Sequence, residues 1–263
     1  MFKLKKYYPQ GFNAQEHWDN KYAKEHIAGK DSSEYKKQDF WPLMKEVLPK
    51  EKKCLDAGCG VGGWILFLRD EGYDVEGIDM APRTVRALTE YDPQMKVKVA
   101  GMTAIPYPDN NFGGVLAVGA LEFMEDKIDE ALSEVHRVLE PNGIFFLEVP
   151  IVNWLRRLLY IPLKSIEGVI KKQQGITPSF SNYLFTRKEL KEYLEKAGFE
   201  VIKEQAHELP DKDSHYGLYV DWKIFRGSTQ YKLNALGLGA KKLANAISPW
   251  VASTGITIVV RKR

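Results

Sequence analysis

Residues 54–63 read CLDAGCGVGG, and this stretch decides the fold class. Its first four residues are mostly apolar and predict a short buried strand, while the glycines predict a sharp turn into a helix that ends near Gly72. Such a turn lets the backbone approach a ligand closely, and the amino end of the helix offers it free N–H groups. The stretch therefore predicts a ligand site between a strand and a helix.

Strands and helices alternate along most of the remaining chain. Besides the helix after the glycine turn, the pattern predicts helices over residues 82–91, 126–139 and 186–197. Seven strands are predicted, over residues 53–57, 74–79, 96–100, 114–118, 144–149, 199–205 and 255–260. This alternation is typical of an α/β protein with a Rossmann-like, doubly wound, mainly parallel sheet covered by helices on both faces.

The chain has additions to this sheet. Residues 1–50 are predicted to form a helical segment packed on the core, with helices over 14–25 and 33–47, the second interrupted at Pro42. The predicted main domain and its two insertions span, in order, residues 51–263, 151–185 and 207–254.

Charge is distributed unevenly. The 38 Lys and Arg residues nearly balance the 35 Asp and Glu residues, for a net charge of +3. Residues 51–150 hold 9 basic and 18 acidic side chains, whereas residues 223–263 hold 8 basic and no acidic ones. A basic region of this kind indicates an anionic partner.

Composition excludes several classes of protein. A hydrophobic content of 44% and a charged content of 28% exclude a mainly disordered chain. Two cysteines, Cys54 and Cys59, exclude a disulfide scaffold and a cysteine-based structural zinc site, and no metal site is predicted. The basic start has no apolar region after it, and the longest uncharged run, 243–260, is too polar to span a membrane, so we expect a cytoplasmic protein.

A carboxylate completes the predicted ligand site. Asp79 lies 21 residues after Gly58, at the end of the next strand, where it can accept hydrogen bonds from both hydroxyls of a ribose. Gly58, Gly60 and Gly63 also satisfy the G-x-G-x-x-G pattern of dinucleotide-binding proteins. Two ligand classes therefore stay open, a dinucleotide and S-adenosylmethionine.

Four motifs in order favour the second ligand. Residues 53–206 resemble class I S-adenosylmethionine-dependent methyltransferases of the small-molecule branch, similar to methyltransferase type 11. DAGCGVG at 56–62 resembles that family's D-x-G-x-G-x-G motif, and Asp79 matches its ribose-binding acid. IPYPDNNF at 105–112 and RVLEPNG at 137–143 resemble its L-P-F-P-D-x-S-F and R-V-L-x-P-G-G segments. The resemblance implies a seven-stranded sheet with strand seven antiparallel, and S-adenosylmethionine as the cofactor.

The resemblance also implies which residues contact the cofactor. Asp56 would hold the charged methionine end, Asp79 the ribose, and Met80 would lie against the adenine. The family often has an acid before the third motif, but here Gly101 precedes Met102, so we expect backbone and apolar contacts to the adenine. The predicted cofactor-binding residues are Asp56, Gly58, Cys59, Gly60, Asp79, Met80, Met102, Thr103, Gly119, Leu121 and Glu122.

An alcohol or carbon acceptor would also need a general base. His207, His215 and Tyr183 are the candidates, since they lie in or at the ends of the two insertions that should face the acceptor. Three other functions stay open: an NAD(P)-dependent oxidoreductase, an RNA-directed methyltransferase, and a cofactor-binding protein without catalysis. Tyr160 and Lys164 have the spacing of short-chain reductases, although a proline lies between them.

The acceptor is predicted only as a class. No Asn-Pro-Pro-Tyr or Asp-Pro-Pro-Tyr follows strand four, which disfavours nucleic acid as the acceptor. Residues 151–175 form a basic, amphipathic stretch, which we interpret as a lid or a packed helix in preference to a peripheral membrane contact. We expect methyl transfer, with oxygen favoured, to a small or lipid-linked acceptor that is anionic or carried on an anionic surface.

Overall fold

The computed structural model describes residues 1–6, 14–22, 33–154, 156–175, 179–207 and 234–263. Its strands are β1 (Phe2–Lys6), β2 (Cys54–Ala57), β3 (Val75–Asp79), β4 (Val97–Val99), β5 (Phe112–Val118), β6 (Leu139–Pro150), β7 (Ser179–Leu184), β8 (Phe199–His207) and β9 (Gly255–Lys262). Its α-helices are α1 (Ala14–Tyr22), α2 (Ser33–Lys36), α3 (Trp41–Val47), α4 (Gly63–Asp70), α5 (Pro82–Tyr91), α6 (Ile128–Val138), α7 (Ile161–Gln173), α8 (Arg187–Lys196), α9 (Ala235–Ile247) and α10 (Pro249–Ala252). None of the helices in these ranges is both long and apolar enough to cross a membrane.

The central sheet has seven strands in the order β4-β3-β2-β5-β6-β9-β8. The neighbours from β4 to β6 pair in parallel, whereas β9 is antiparallel to both β6 and β8. The predicted Rossmann-like sheet with an antiparallel last strand is therefore confirmed. The strand order reverses between β2 and β5, and in such sheets the ligand crevice opens beyond the carboxyl ends of the strands at that point.

Both faces of the sheet are buried by amphipathic helices. On one face α6 and α8 cover alternate strand residues such as Val115 and Phe145. On the other face α3 and α4 cover the intervening residues such as Leu116 and Phe146. Because successive strand side chains point to opposite faces, a strand buried on both sides reads as a continuous apolar run.

The irregular turn near the start of β6 has the conformation that its sequence demands. Phe112 pairs with Leu139 and Gly114 with Ile144, so residues 140–143 bulge out of the ladder. Asn142 takes a left-handed conformation there, with φ 63°. Asn tolerates this region better than most residues, so it replaces the family's glycine without breaking the turn.

The chain start differs from its predicted helical character. Residues Phe2–Lys6 form β1, which pairs antiparallel with β7 inside the predicted 151–185 insertion. The sequence pattern predicts neither strand, because β1 and β7 are separated by more than half of the chain. The predicted helix over 33–47 is two helices, α2 and α3, with Pro42 in the first turn of the second. The part of the predicted 14–25 helix beyond Tyr22, and residues 208–233 of the second insertion, lie outside the described residues.

Candidate functional site

The glycine turn folds back against the segment that follows β5. Gly58, Gly60 and Gly62 all have left-handed backbones, with φ of 93°, 50° and 75°. Only glycine adopts these conformations without steric cost. A Cβ on Gly58 would lie 2.6 Å from the Cβ of Ala120, so the turn touches the backbone after β5 as closely as a glycine permits.

Asp79 ties the end of β3 to this turn. Its Oδ2 accepts a hydrogen bond from the Gly60 N–H at 2.8 Å, and its Oδ1 accepts one from the Ala81 N–H at 2.9 Å. The side chain is buried, and burial raises its pKa despite these two bonds. Each carboxylate oxygen has a second lone pair, so the oxygens keep the capacity to accept bonds from a ligand.

Asp56 is a second buried carboxyl at this point of the sheet. Burial, with a smaller contribution from the charge of Asp79, raises the pKa of Asp56 to about 8. Its Oδ2 has no hydrogen-bond partner among the described residues. A buried carboxylate oxygen without a partner is costly, and a cationic or donor group of a ligand would remove that cost.

Two further carboxyl groups meet over Gly119. A Cβ on Gly119 would lie 3.8 Å from Glu122 Oε1 and 3.9 Å from Glu148 Oε2, and both side chains are buried. Burial, reinforced by the charge of Glu148, raises the pKa of Glu122 well above its usual range. Glu122 Oε2 also has no hydrogen-bond partner in the described part of the chain. Glu122 and Glu148, the carboxyl pair, therefore lie at the carboxyl ends of β5 and β6.

The remaining predicted cofactor residues lie near these groups but differ in their side-chain environment. The Ala100 N–H donates to the Asp79 carbonyl at 3.0 Å, which brings the Met102 and Thr103 segment beside the end of β3. Met80 is exposed, whereas the side chains of Met102 and Leu121 are buried in the hydrophobic core. Cys59 is buried too, with its sulfur directed at Gly77 of β3.

Helix α1 crosses the mouth of the crevice. The Arg83 N–H, at the start of α5, donates to Asp19 Oδ1 at 3.0 Å. On the opposite side, the Trp18 ring packs edge-on against Phe123, with 4.8 Å between ring centroids. Because Arg83 follows β3 and Phe123 follows β5, α1 bridges the two sides of the site.

The three predicted base candidates have different outcomes. The Tyr183 side chain is fully buried, and its hydroxyl donates to Asp126 Oδ1 at 3.1 Å and accepts from the Asp126 N–H at 2.9 Å. These bonds join the Tyr183 hydroxyl to Asp126, and a catalytic role for Tyr183 stays a prediction. His207 ends β8 opposite Gly255, and His215 lies outside the described residues, so both stay predictions.

Some residues of the site belong to no predicted motif. Glu148 is the one acidic residue in the otherwise apolar run from Ile144 to Pro150. A charged residue in a strand that is predicted to be buried is a sequence signal for a functional role, and it could have identified Glu148. Asp19 and Trp18 carry no such signal, because their partners are distant in sequence.

Comparison with known proteins agrees with this geometry. A family model described as a methyltransferase domain matches residues 32–204. The chain is 33% identical over 145 residues to a 2-methyl-6-phytyl-1,4-hydroquinone methyltransferase of Synechocystis, covering 52% of this chain and 44% of the relative. It is 30% identical over 106 residues to a sterol 4-C-methyltransferase of Caenorhabditis elegans, covering 38% of this chain and 31% of the relative. The chain thus spans less than half the length of either relative.

The fold is shared with solved structures. A methyltransferase structure from Methanosarcina mazei superposes with a TM-score of 0.62 at 20% identity, over 85% of this chain and 98% of that one. This likeness concerns the fold alone, and the family model matches well over half of the chain. The chain belongs to the class I S-adenosylmethionine-dependent methyltransferase family.

Proposed function

We propose that the protein transfers a methyl group from S-adenosylmethionine to a hydroxyl group on a lipid-linked small molecule. The observation that carries this proposal is the set of buried carboxyls around the glycine turn, in which Asp56 Oδ2 and Glu122 Oε2 lack partners among the described residues. S-adenosylmethionine, when bound, supplies a methyl group on a sulfonium that is transferred by direct displacement.

The residues present fit this cofactor. The oxygens of Asp79 are held by two backbone N–H groups and keep lone pairs for the ribose hydroxyls. Asp56 and Glu122 lie where the cationic methionine end would bind, and attraction to that positive charge would offset the cost that burial puts on ionising them. The left-handed glycines let the chain approach the ligand without a side chain intervening.

The same carboxyls disfavour a dinucleotide. A pyrophosphate beside Asp56 and Glu122 would place negative charge against buried carboxyls and make their ionisation still more costly. An RNA backbone in the crevice would meet the same repulsion. The charge of the site therefore favours a sulfonium ligand over the oxidoreductase and RNA alternatives.

The carboxyl pair supports oxygen as the acceptor atom. As the hydroxyl oxygen bonds to the methyl carbon, its O–H bond breaks and the proton needs an acceptor. Glu148 lies beside Glu122 at the end of the sheet that bears the crevice, where its carboxylate oxygens are proton acceptors of the required type. We propose that Glu148 takes this proton while Glu122 faces the methionine end.

A ring carried on an isoprenoid lipid is the acceptor class that we propose. Two relatives support it, since their names concern a phytyl hydroquinone and a sterol. The basic insertion after β6 supports a lipid-linked acceptor as well, as developed below.

Binding of S-adenosylhomocysteine tests the cofactor assignment. By isothermal titration calorimetry we expect the wild-type protein to bind S-adenosylhomocysteine and not NADH. Asp79→Ala should weaken binding at least about tenfold, because charged hydrogen bonds are worth roughly 1.5–3 kcal/mol each. Asp74→Ala, at the other end of β3, removes a half-exposed carboxylate and should leave the affinity unchanged. NADH binding in place of S-adenosylhomocysteine, or wild-type affinity in Asp79→Ala, would contradict the proposal.

The buried Asp56 predicts a pH-dependent stability. Its pKa is about 8 in the folded protein against an ordinary value of 3.8, so the folded state holds the proton more tightly than the unfolded chain. The free energy of unfolding should therefore fall as pH rises, by roughly 1 kcal/mol per pH unit between about pH 5 and about pH 7 from this group, and this contribution should level off above about pH 8. Asp56→Asn should remove that part of the slope, measured by urea denaturation without ligand. Asp74→Asn is the control, and equal slopes in Asp56→Asn and wild type would refute the assignment.

Methyl transfer to a prenylated hydroquinone in detergent micelles tests the acceptor. With a trideuterated methyl donor we expect a methoxy product, identified by mass spectrometry and NMR. Glu148→Gln should slow transfer about 100-fold or more, the usual size of general base catalysis, with S-adenosylhomocysteine affinity kept. Glu140→Gln, in the same strand but paired with Lys52 outside the site, should transfer at the wild-type rate. A ring-methyl product, no product, or a fully active Glu148→Gln would each overturn this part of the proposal.

A further inference from the structure

The segment after β6 presents an apolar stripe to solvent. Five of its side chains are between 50% and 66% exposed, although they are large and hydrophobic. These residues, the α7 stripe, are Trp154, Leu158, Ile166, Val169 and Ile170. Ile166, Val169 and Ile170 have the i, i+3, i+4 spacing that places side chains on one face of a helix. Several large apolar side chains exposed along one segment indicate a contact with a partner or a membrane.

Basic residues accompany the α7 stripe. The sequence from Trp154 to Gly175 contains five Lys and Arg residues and one acidic residue, Glu167. Arg156 is buried and donates to the Thr254 carbonyl at 3.0 Å, so its charge serves the fold. The other four basic residues leave the segment with a clear positive excess.

A second helix repeats this combination. In α9, Leu236, Leu243 and Ile247 are all more than half exposed. Lys241 and Lys242 lie on the same helix, and no acidic residue occurs anywhere in residues 223–263. An exposed apolar row on a helix that also carries lysines is typical of helices that lie on anionic membranes.

Both helices join the sheet at the edge that bears the crevice. The Asn153 side chain donates to the Ser253 carbonyl at 2.9 Å, which fixes the start of the α7 segment beside the entry to β9. Pro150 and Gly255 are paired at that edge, where β6 ends and β9 begins. A surface that contacts these helices would therefore face the side of the domain on which the carboxyl pair lies.

We propose that the α7 stripe and α9 dock the protein on the surface of an anionic lipid bilayer. The apolar side chains would enter the interface, and the lysines and arginines would lie at the level of the anionic headgroups. This proposal goes beyond methyl transfer, since a protein can bind vesicles whether or not it binds the cofactor. The charge distribution of the sequence predicts an anionic partner. Under this proposal that partner is the lipid surface, which lies outside the crevice with its buried carboxyls.

Vesicle co-sedimentation tests the proposal. Wild-type protein should bind vesicles of equal parts phosphatidylglycerol and phosphatidylcholine, and not vesicles of phosphatidylcholine alone. Binding should weaken at high salt because screening reduces the attraction to the anionic headgroups. The double variant Ile166→Ser/Val169→Ser should lose at least about tenfold in vesicle affinity, since it removes two large apolar side chains from the interface.

A matched control variant tests whether the loss of vesicle binding is specific to the α7 stripe. Val99→Ser/Ile202→Ser removes the same two residue types at exposed positions on β4 and β8 and should bind vesicles like the wild type. Unchanged affinity for S-adenosylhomocysteine in both variants shows that they are folded. It also means that a loss of vesicle binding can be told apart from a failure of the proposed methyl transfer. Trp154 gives an independent signal, because its fluorescence should shift to the blue on anionic vesicles and Trp154→Phe should lose that shift.

Three results would overturn the proposal. The first is a wild-type protein that does not bind anionic vesicles. The second is a stripe variant that binds them as tightly as the wild type. The third is a stripe variant that dissociates a dimer in analytical ultracentrifugation without changing vesicle binding, since the α7 stripe would then be a contact between two copies of the chain.

Discussion

The hydrogen bond from the Gly60 N–H to Asp79 is the constraint on which the site depends. It joins the ends of two adjacent parallel strands through a turn that only glycines can form at three of its positions. Once the turn is fixed, Gly58 contacts Ala120, and the segment carrying Glu122 comes to lie beside it. The geometry of the crevice thus follows from one carboxylate and a few left-handed residues.

Fixing the turn in this way concentrates carboxyl groups in a buried place. Burial raises the pKa values of Asp56, Asp79 and Glu122, which means that the folded protein bears a cost for ionising them. A ligand with positive charge removes part of that cost, which is the physical basis for selecting a sulfonium. The basic helices at the same edge have the opposite character and suit a different, anionic partner. Acidic groups therefore lie in the site, and basic groups lie on the helices around it.

The local part of this arrangement could be predicted from sequence, and the long-range part could not. The strands, the glycine turn and Asp79 follow from apolar runs, glycine spacing and a fixed interval along the chain. The pairing of β1 with β7 and the position of Asp19 under Arg83 depend on partners far apart in sequence, for which no local pattern exists. Tyr183 shows the same limit, since its position in the sequence suggests a base but does not reveal that its hydroxyl contacts Asp126, 57 residues earlier in the chain.

A crystal structure with S-adenosylhomocysteine tests the central claim most directly. Both ribose hydroxyls should lie within hydrogen-bond distance, about 2.6–3.2 Å, of the Asp79 carboxylate oxygens. The amino group of the ligand should lie beside Asp56 or Glu122, each of which has an oxygen without a partner among the described residues. A ligand bound away from Asp79, or one whose carboxylate lies against Asp56 and Glu122, would contradict the account.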